Sequence, residues 1–324
     1  ALFAGSLLTA AMILYAARIG VEILRSWDLA SGSEAQLVLE RKTYLVSTIL
    51  TWLFAFQLLS FFLFVYTADG LCHLFVGAMC AAGTLHVNGF GYPTLALKIL
   101  TFLLAGTWML LNHLDRQGRD YPLVRVKYAL LLAMAPLLLA EVWLQGSYFL
   151  ALTPDVITSC CGSLFGTEAR TLSSQLAALP PGAMRVAFFL AEGLVIASGL
   201  YYLGAGRGGY GFAALAGAAF VVGLLSVISF IGLYVYQLPS HHCPFCVLKA
   251  EYGRVGYPLY GLILFGGLAG MGTGLLSLFR GIPSLRAAAP GVLRGLAGAA
   301  VACHLLLTAG VALLILTSDM RLVP

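Results

Sequence analysis

Long runs of apolar residues, separated by short polar stretches, recur along the whole chain. A run of about 20 apolar residues is long enough to cross the hydrocarbon core of a bilayer as an α-helix. The pattern predicts eight such spans, at 1–24, 44–66, 94–114, 128–150, 184–204, 211–236, 257–279 and 291–317. We therefore expect an all-α fold: a polytopic transmembrane helical bundle of about eight spans, formed by a single integral membrane domain over residues 1–324.

Composition excludes an ordinary soluble protein. Hydrophobic residues make up 60% of the chain and charged residues 10%, whereas roughly a quarter of a typical soluble domain is charged. The 37 glycines fit helices that pack closely in lipid, because small residues let two backbones approach. The net charge of +5 is modest and spread over short loops, so membrane lipid is the expected partner and nucleic acid is not.

Lysine and arginine are concentrated in the loops after the odd-numbered spans. Cytoplasmic loops carry an excess of these residues, so the even-numbered loops and both termini are expected on the extracytoplasmic side of a bacterial inner (cytoplasmic) membrane. The basic residues assigned to the cytoplasmic side are Arg25, Arg41, Lys42, Arg116, Arg119, Arg125, Lys127, Arg207, Arg280, Arg286 and Arg294. The minority assigned to the opposite side are Lys98, Arg170, Arg185, Lys249, Arg254 and Arg321.

Six of the seven cysteines form three pairs, one in each of the loops after the second, fourth and sixth spans. The pairs are Cys72 with Cys80, Cys160 with Cys161, and Cys243 with Cys246. In the expected orientation all six face the oxidising side, which suits disulfide chemistry or the capture of a soft metal ion. Cys303, inside the last span, is expected to be a small packing residue.

The candidate chemistry centres on the sequence His-His-Cys-Pro-Phe-Cys at residues 241–246. Two cysteines three residues apart can close a disulfide or chelate a soft metal, and a nearby imidazole favours the thiolate of the first cysteine. We expect the two histidines to act in this way on Cys243. The upstream pair, Cys72 and Cys80, would allow a relay in which electrons from a soluble partner pass by disulfide exchange to the inner pair, beside a membrane carrier.

Two motifs, Cys72-x7-Cys80 and Cys243-Pro244-Phe245-Cys246, resemble the loop pair and the active-site pair of the vitamin K epoxide reductase group. Bacterial members of that group pass electrons from periplasmic thiols to quinone. The resemblance implies that Cys246 faces the quinone, that Cys243 is its exchange partner, and that the outer pair is the shuttle. The chain departs from the group in having four spans between the two pairs instead of two.

The same resemblance implies further partners. It implies quinone as the cofactor and a periplasmic thiol protein as the source of electrons. It also makes Asn88 or Thr84 a candidate to hydrogen-bond a quinone oxygen.

Adjacent cysteines support a second hypothesis. A disulfide between neighbouring residues closes a small strained ring, whereas two adjacent thiolates suit Cu⁺ or Hg²⁺. The segment containing Cys160 and Cys161 resembles the paired cysteines of mercuric-ion transport proteins. With His241 and His242 as further ligands, the protein would be a carrier or assembly factor for a soft metal. A third hypothesis is a structural membrane subunit whose loops are stapled by disulfides and whose partners are other membrane subunits.

Two carboxylic acids, Glu141 and Glu192, fall inside predicted spans. An ionised side chain at that depth costs at least ~2.5 kcal/mol. We therefore expect both to face the interior of the bundle, where they are neutral, are paired, or line a route for protons.

Overall fold

The computed structural model describes residues 2–28, 31–154, 156–158 and 179–320. Within these ranges eight helices are long and apolar enough to cross a membrane, so the predicted all-α membrane bundle is confirmed. The helices are α1 (Leu2–Ser26), α2 (Glu34–Gly70), α3 (Ala81–Leu85), α4 (Gly91–Asp115), α5 (Val124–Leu150), α6 (Pro181–Ala205), α7 (Gly209–Ser226), α8 (Gly232–Tyr236), α9 (Gly256–Ser277) and α10 (Ala289–Thr317). Helical turns also occur at Cys72–Leu74, Val227–Ile231, Cys246–Leu248, Ala250–Tyr252 and Pro283–Leu285.

Helix α2 begins ten residues before the predicted second span, at Glu34 instead of residue 44. The added stretch is polar, so its hydropathy does not mark it as membrane, yet its Glu, Ala, Gln, Leu, Arg and Lys residues are strong helix formers. Ser33 Oγ also accepts a hydrogen bond of 3.3 Å from the Gln36 backbone N–H, which satisfies one of the unpaired donors at a helix start. The predicted span was therefore the apolar part of a longer helix.

Contacts between helices divide the chain into two compact units. Unit 1 comprises Ala1–Val65, Asn88–Leu152 and Leu278–Val292, and unit 2 comprises Tyr66–Val87, Thr153–Ser277 and Leu293–Pro324. In unit 1, α1 and α4 pack against α5, and in unit 2, α6 and α9 pack against α7. All four of the described cysteines in the two candidate motifs belong to unit 2.

The core of unit 1 is apolar with a few satisfied polar groups. Phe54 and Trp108 are fully buried, and their rings meet edge to face with centroids 5.0 Å apart. The indole N–H of Trp108 donates to the Lys127 carbonyl over 3.0 Å. The hydroxyl groups of Tyr128 and Ser47 lie 3.1 Å apart. Each buried polar atom in this group therefore has the partner that an apolar surrounding requires.

Unit 2 uses small residues to bring α7 and α9 together. A methyl group added at Gly270 would lie 2.4 Å from the Ala216 side chain, and one added at Gly274 would lie 2.3 Å from the Ala213 side chain. Both distances are shorter than van der Waals contact, so only glycine permits this separation of the helices. The expectation that glycines serve close helix packing is confirmed for this pair of helices.

The segment leading into residues 241–246 contains two departures from regular α-helix. Val227–Ile231 forms a π-helical turn between α7 and α8, a feature that often occurs near functional sites. Helix α8 then ends at Tyr236 and is followed by Gln237, whose φ of 54° is left-handed. This conformation reverses the direction of the chain after a helix, and it starts the loop that carries the Cys-x-x-Cys pair.

Candidate thiol site

Two tyrosine hydroxyl groups hold the backbone of the Cys-x-x-Cys loop. Tyr236, the last residue of α8, donates a hydrogen bond to the Cys243 carbonyl oxygen. Tyr260, in the first turns of α9, donates to the Pro244 carbonyl oxygen over 2.6 Å. Because these carbonyl groups belong to the first cysteine and to the residue after it, the two helices fix the position of that cysteine. Cys246 follows in a short helical turn and is buried, as is Cys243.

The loop with the other cysteine pair is fixed by Asp69 and Thr158. Asp69 Oδ1 accepts a 3.1 Å hydrogen bond from the Ala81 N–H, immediately after Cys80. The Thr158 N–H donates to the Val76 carbonyl over 3.0 Å, and its hydroxyl donates to the Gly83 carbonyl over 2.9 Å. Thr158 therefore links the chain on both sides of Cys80.

Sulfur atoms from the two loops meet in the interior of unit 2. Cys80 Sγ lies 3.5 Å from Cys243 Sγ, and the sulfurs of Cys80, Cys243 and Cys246 all lie within 4.8 Å of one another. All three residues are buried, at 0%, 1% and 5% exposure respectively. A covalent disulfide is about 2.05 Å long, so the separation of Cys80 and Cys243 is that of two sulfurs in contact. Cys72 is half-buried and is not a member of this three-sulfur cluster.

Lys249 brings a positive charge to the loops of the cluster. Its Nζ donates to the Met79 carbonyl over 2.8 Å and lies 3.8 Å from a Glu251 carboxylate oxygen. Burial acts to lower the pKa of Lys249, but the negative charges of Glu251 and of nearby groups, Cys246 among them, outweigh it and raise the pKa. Lys249 is therefore a stable cation that interacts electrostatically with Cys72 and Cys246.

The two histidines occupy different surroundings. The His242 ring is buried, and its Nδ1 lies 3.0 Å from the Ile228 carbonyl oxygen in the π-helical turn. The His241 ring packs edge-on against Tyr236 with centroids 4.5 Å apart. Burial lowers the pKa of His241, so the ring is neutral at neutral pH and adds no positive charge beside Cys243. The expectation that the two histidines favour the Cys243 thiolate stays a prediction.

The two residues predicted to contact quinone, Thr84 and Asn88, lie in different units. Thr84 is fully buried in the short helix α3 of unit 2. Asn88 belongs to unit 1, where its Nδ2 donates to the Tyr148 carbonyl over 3.1 Å and its Oδ1 accepts from the Phe90 N–H over 3.0 Å. One end of the Asn88 amide thus holds its own turn, and the other links that turn to α5. A quinone contact for either residue stays a prediction.

Cys160 and Cys161, the proposed soft-metal pair, lie outside the described residues. The structure therefore neither joins them to His241 and His242 nor separates them. Cys303 lies in α10 of unit 2, and a methyl group added at Gly266 would lie 3.0 Å from its Cβ, which agrees with a packing role.

Both membrane carboxylic acids are buried, as predicted. In unit 1, Glu141 Oε1 lies 2.7 Å from Lys98 Nζ, and the same carboxylate accepts hydrogen bonds from Gln57 and Thr101. In unit 2, Glu192 Oε2 lies 2.8 Å from His304 Nδ1. The carboxylic acids therefore have the interior partners that an apolar medium demands.

Several residues around the site make contacts that the sequence did not predict. Lys249 was counted only as a loop charge, although its place three residues after Cys246 is a usable signal. Tyr236 and Tyr260 lie near the Cys-x-x-Cys pair in sequence, but no local pattern predicts their hydrogen bonds to its backbone. Thr158 carries no sequence signal for its contact with the Cys80 loop.

Comparison with known proteins found no match to this chain among protein-family models, curated proteins or solved structures.

Proposed function

We propose that the protein is a membrane thiol–disulfide oxidoreductase that passes electrons from extracytoplasmic thiols to a membrane quinone. The observation that carries the proposal is the 3.5 Å separation of Cys80 Sγ and Cys243 Sγ. Thiol–disulfide exchange requires a thiolate to reach one sulfur of a disulfide and form a mixed disulfide with it. Here the buried member of the loop pair contacts the first cysteine of the Cys-x-x-Cys pair.

The exchange starts with the outer pair reduced and the inner pair oxidised. The Cys80 thiolate attacks Cys243, a bond forms between these sulfurs, and the Cys243–Cys246 bond breaks with its electron pair on Cys246. The Cys72 thiolate then attacks Cys80, closes the outer disulfide and releases Cys243 as a thiolate. Two electrons have then moved from the outer pair to the inner pair.

Electrons enter and leave the protein through different cysteines. Cys72 is half-buried, whereas the three clustered cysteines are buried, so a soluble dithiol, such as that of a periplasmic thiol protein, meets Cys72 first. It reduces the outer disulfide and becomes a disulfide itself. At the other end a quinone, which takes up two electrons and two protons, reoxidises the inner dithiol. The positive charge of Lys249 stabilises Cys246 as the leaving thiolate.

Aromatic side chains adjoin the exit cysteines and suit a flat apolar acceptor. The ring of Tyr236 lies 4.8 Å from that of Tyr252 and 4.5 Å from that of His241, measured between centroids. The Lys and Arg distribution supports placing these loops on the extracytoplasmic face of a bacterial inner membrane. Other subunits of a larger complex would be compatible partners of the same reaction.

The proposal is tested with purified protein, a soluble dithiol and a short-chain quinone, by following the loss of quinone absorbance. We expect Cys246→Ser and Cys72→Ser to abolish quinone reduction, and Cys303→Ser, the matched control, to retain it. We expect a mild oxidant to form a Cys80–Cys243 disulfide, detected by peptide mass spectrometry, in the Cys72→Ser/Cys246→Ser variant. Full activity in Cys246→Ser would contradict the proposal, as would failure of Cys80 and Cys243 to join.

A further inference from the structure

Three sulfur ligands converge from two distant parts of the sequence. Cys243 and Cys246 come from one loop, and Cys80 comes from a loop 163 residues earlier than Cys243. Their sulfurs lie within 4.8 Å of one another in the interior of unit 2. Disulfide exchange already places Cys246 beside Cys243 as its disulfide partner, and the same convergence gives the reduced protein three thiol sulfurs at one point.

The spacing of the three sulfurs matches a three-coordinate metal site. With a metal–sulfur distance of roughly 2.3 Å, as in zinc thiolates, three sulfurs in a plane around one ion lie about 4 Å apart. The Cys80 and Cys243 sulfurs lie 3.5 Å apart, and the separations of these two sulfurs from that of Cys246 do not exceed 4.8 Å. Small movements of the three cysteine side chains would therefore be enough for one ion to bind.

The coordination number favours one ion. Among the described residues the group of mutually close ligand atoms contains three cysteines and no histidine or carboxylate. Structural zinc sites use four ligands in a tetrahedron, and thiolate sulfur selects soft ions, Cu⁺ in particular. Burial also limits access of water and of competing hard cations. A three-sulfur site of this kind suits Cu⁺ better than Zn²⁺.

We propose that the reduced protein binds one Cu⁺ through Cys80, Cys243 and Cys246, and that oxidation of two of these cysteines to a disulfide releases it. Disulfide formation transfers two electrons from the two thiolates to the oxidant, which is quinone in the proposed reaction, and Cu⁺ leaves without changing its charge. Each disulfide removes two of the three ligands, so redox state controls metal occupancy. The site goes beyond the proposed electron transfer because it does not need Cys72.

The experiment uses the full-length chain with Cys160→Ser and Cys161→Ser, so that the adjacent pair cannot bind the probe. Cu⁺ is titrated anaerobically into the reduced protein against bicinchoninate, a coloured Cu⁺ chelator. We expect one Cu⁺ per chain, three sulfur neighbours by X-ray absorption, and no binding after oxidation of the same protein with diamide. Loss of one sulfur ligand in Cys80→Ser or Cys243→Ser should weaken binding by at least about 100-fold, the upper end of the effect of losing an outer-shell partner.

Cys72→Ser is the matched control, because it removes a cysteine near the site without removing a cluster ligand. It should retain Cu⁺ affinity while losing quinone reduction, which makes failure of the metal site distinguishable from failure of the electron relay. The oxidised background protein provides a second test that does not depend on replacing any cysteine of the cluster. Absence of Cu⁺ binding in the reduced background protein, or equal affinity in Cys80→Ser, would overturn the proposal.

Discussion

Lys98 Nζ lies 2.7 Å from Glu141 Oε1 inside unit 1, with the two side chains only 1% and 3% exposed. Lys98 also donates to Ser60 Oγ over 3.1 Å. Removing one member of a buried ion pair leaves an uncompensated charge, which costs about 3–5 kcal/mol, whereas replacing both members with apolar residues is often nearly neutral.

Lys98→Met should therefore lower the free energy of unfolding in detergent by about 3–5 kcal/mol, and Lys98→Met/Glu141→Met should recover much of the loss. Lys42, which lies 3.5 Å from Glu22 in a half-exposed pair, is the matched control, because exposed pairs contribute about 0–1 kcal/mol. If Lys98→Met is no more harmful than Lys42→Met, the Lys98–Glu141 pair is not the stabilising element that its burial indicates.

Tyr260→Phe tests the backbone contacts of the Cys-x-x-Cys loop. The substitution removes the 2.6 Å hydrogen bond to the Pro244 carbonyl and leaves the ring in place. A typical hydrogen bond contributes about 1 kcal/mol, so disulfide exchange between Cys80 and Cys243 should slow by up to roughly fivefold if the contact is needed to position Cys243. Tyr201→Phe, at a tyrosine that is 61% exposed, should leave the rate unchanged. Equal effects of the two variants would show that the hydroxyl does not position the loop.

Lys249→Met should move the pH dependence of exchange to higher pH. Burial raises the pKa of the attacking Cys72 thiol and the charge of Lys249 acts to lower it, because a nearby positive charge favours the thiolate over the thiol. Without it the thiol holds its proton to higher pH, so the rising limb of the pH–rate profile shifts upward and the rate at neutral pH falls. Arg254→Met removes an exposed charge from the same loop and is the control. An unshifted profile in Lys249→Met would rule out this electrostatic role.

Gly77→Ala, in the Cys80 loop, should lower the stability of the protein by more than the usual cost of placing alanine in a left-handed conformation. Gly77 has a φ of 90°, and an added Cβ would lie 2.2 Å from the Thr158 carbonyl oxygen. Gly253 has a φ of 66° and no atom closer than 3.9 Å to the same position, so Gly253→Ala should lose only about 1–2 kcal/mol. Thermal unfolding compares the two variants. Equal losses would mean that the loop moves away from Thr158 without cost.

His241 should make the folded protein less stable in mild acid. Burial lowers its pKa in the folded state, whereas an unfolded histidine has a pKa of about 6.5. The unfolded chain therefore binds more protons once the pH falls below that value, so the contribution of His241 is fully present above it and is lost as the pH decreases. His241→Gln should make the melting temperature depend less on pH between about pH 7.5 and 5.5 than it does in the wild type. His73→Gln, at an exposed position, should reproduce the wild-type slope.

Hydropathy alone was sufficient for the number of spans and for their approximate positions, because crossing a bilayer depends on local composition over about 20 residues. It placed the start of α2 ten residues late, because residues 34–43 are polar but form a helix. The Cys243 and Cys246 pair was also visible from its spacing, since two cysteines three residues apart can close a disulfide or chelate a soft metal. Burial of Glu141 and Glu192 followed from the cost of exposing an acid to lipid.

Tertiary structure decided which of these groups meet. Contact between Cys80 and Cys243, 163 residues apart, depends on where two loops are fixed by Asp69, Thr158, Tyr236 and Tyr260, and no local pattern encodes it. Lys98 and Lys127 were read as loop charges, yet they lie in buried pairs with Glu141 and Asp115. The sequence shows His241 only as a neighbour of Cys243, whereas the fold adds the burial that lowers its pKa. Pairing and protonation depend on the distance and burial of groups from separate helices, whereas a sequence specifies directly only what is local.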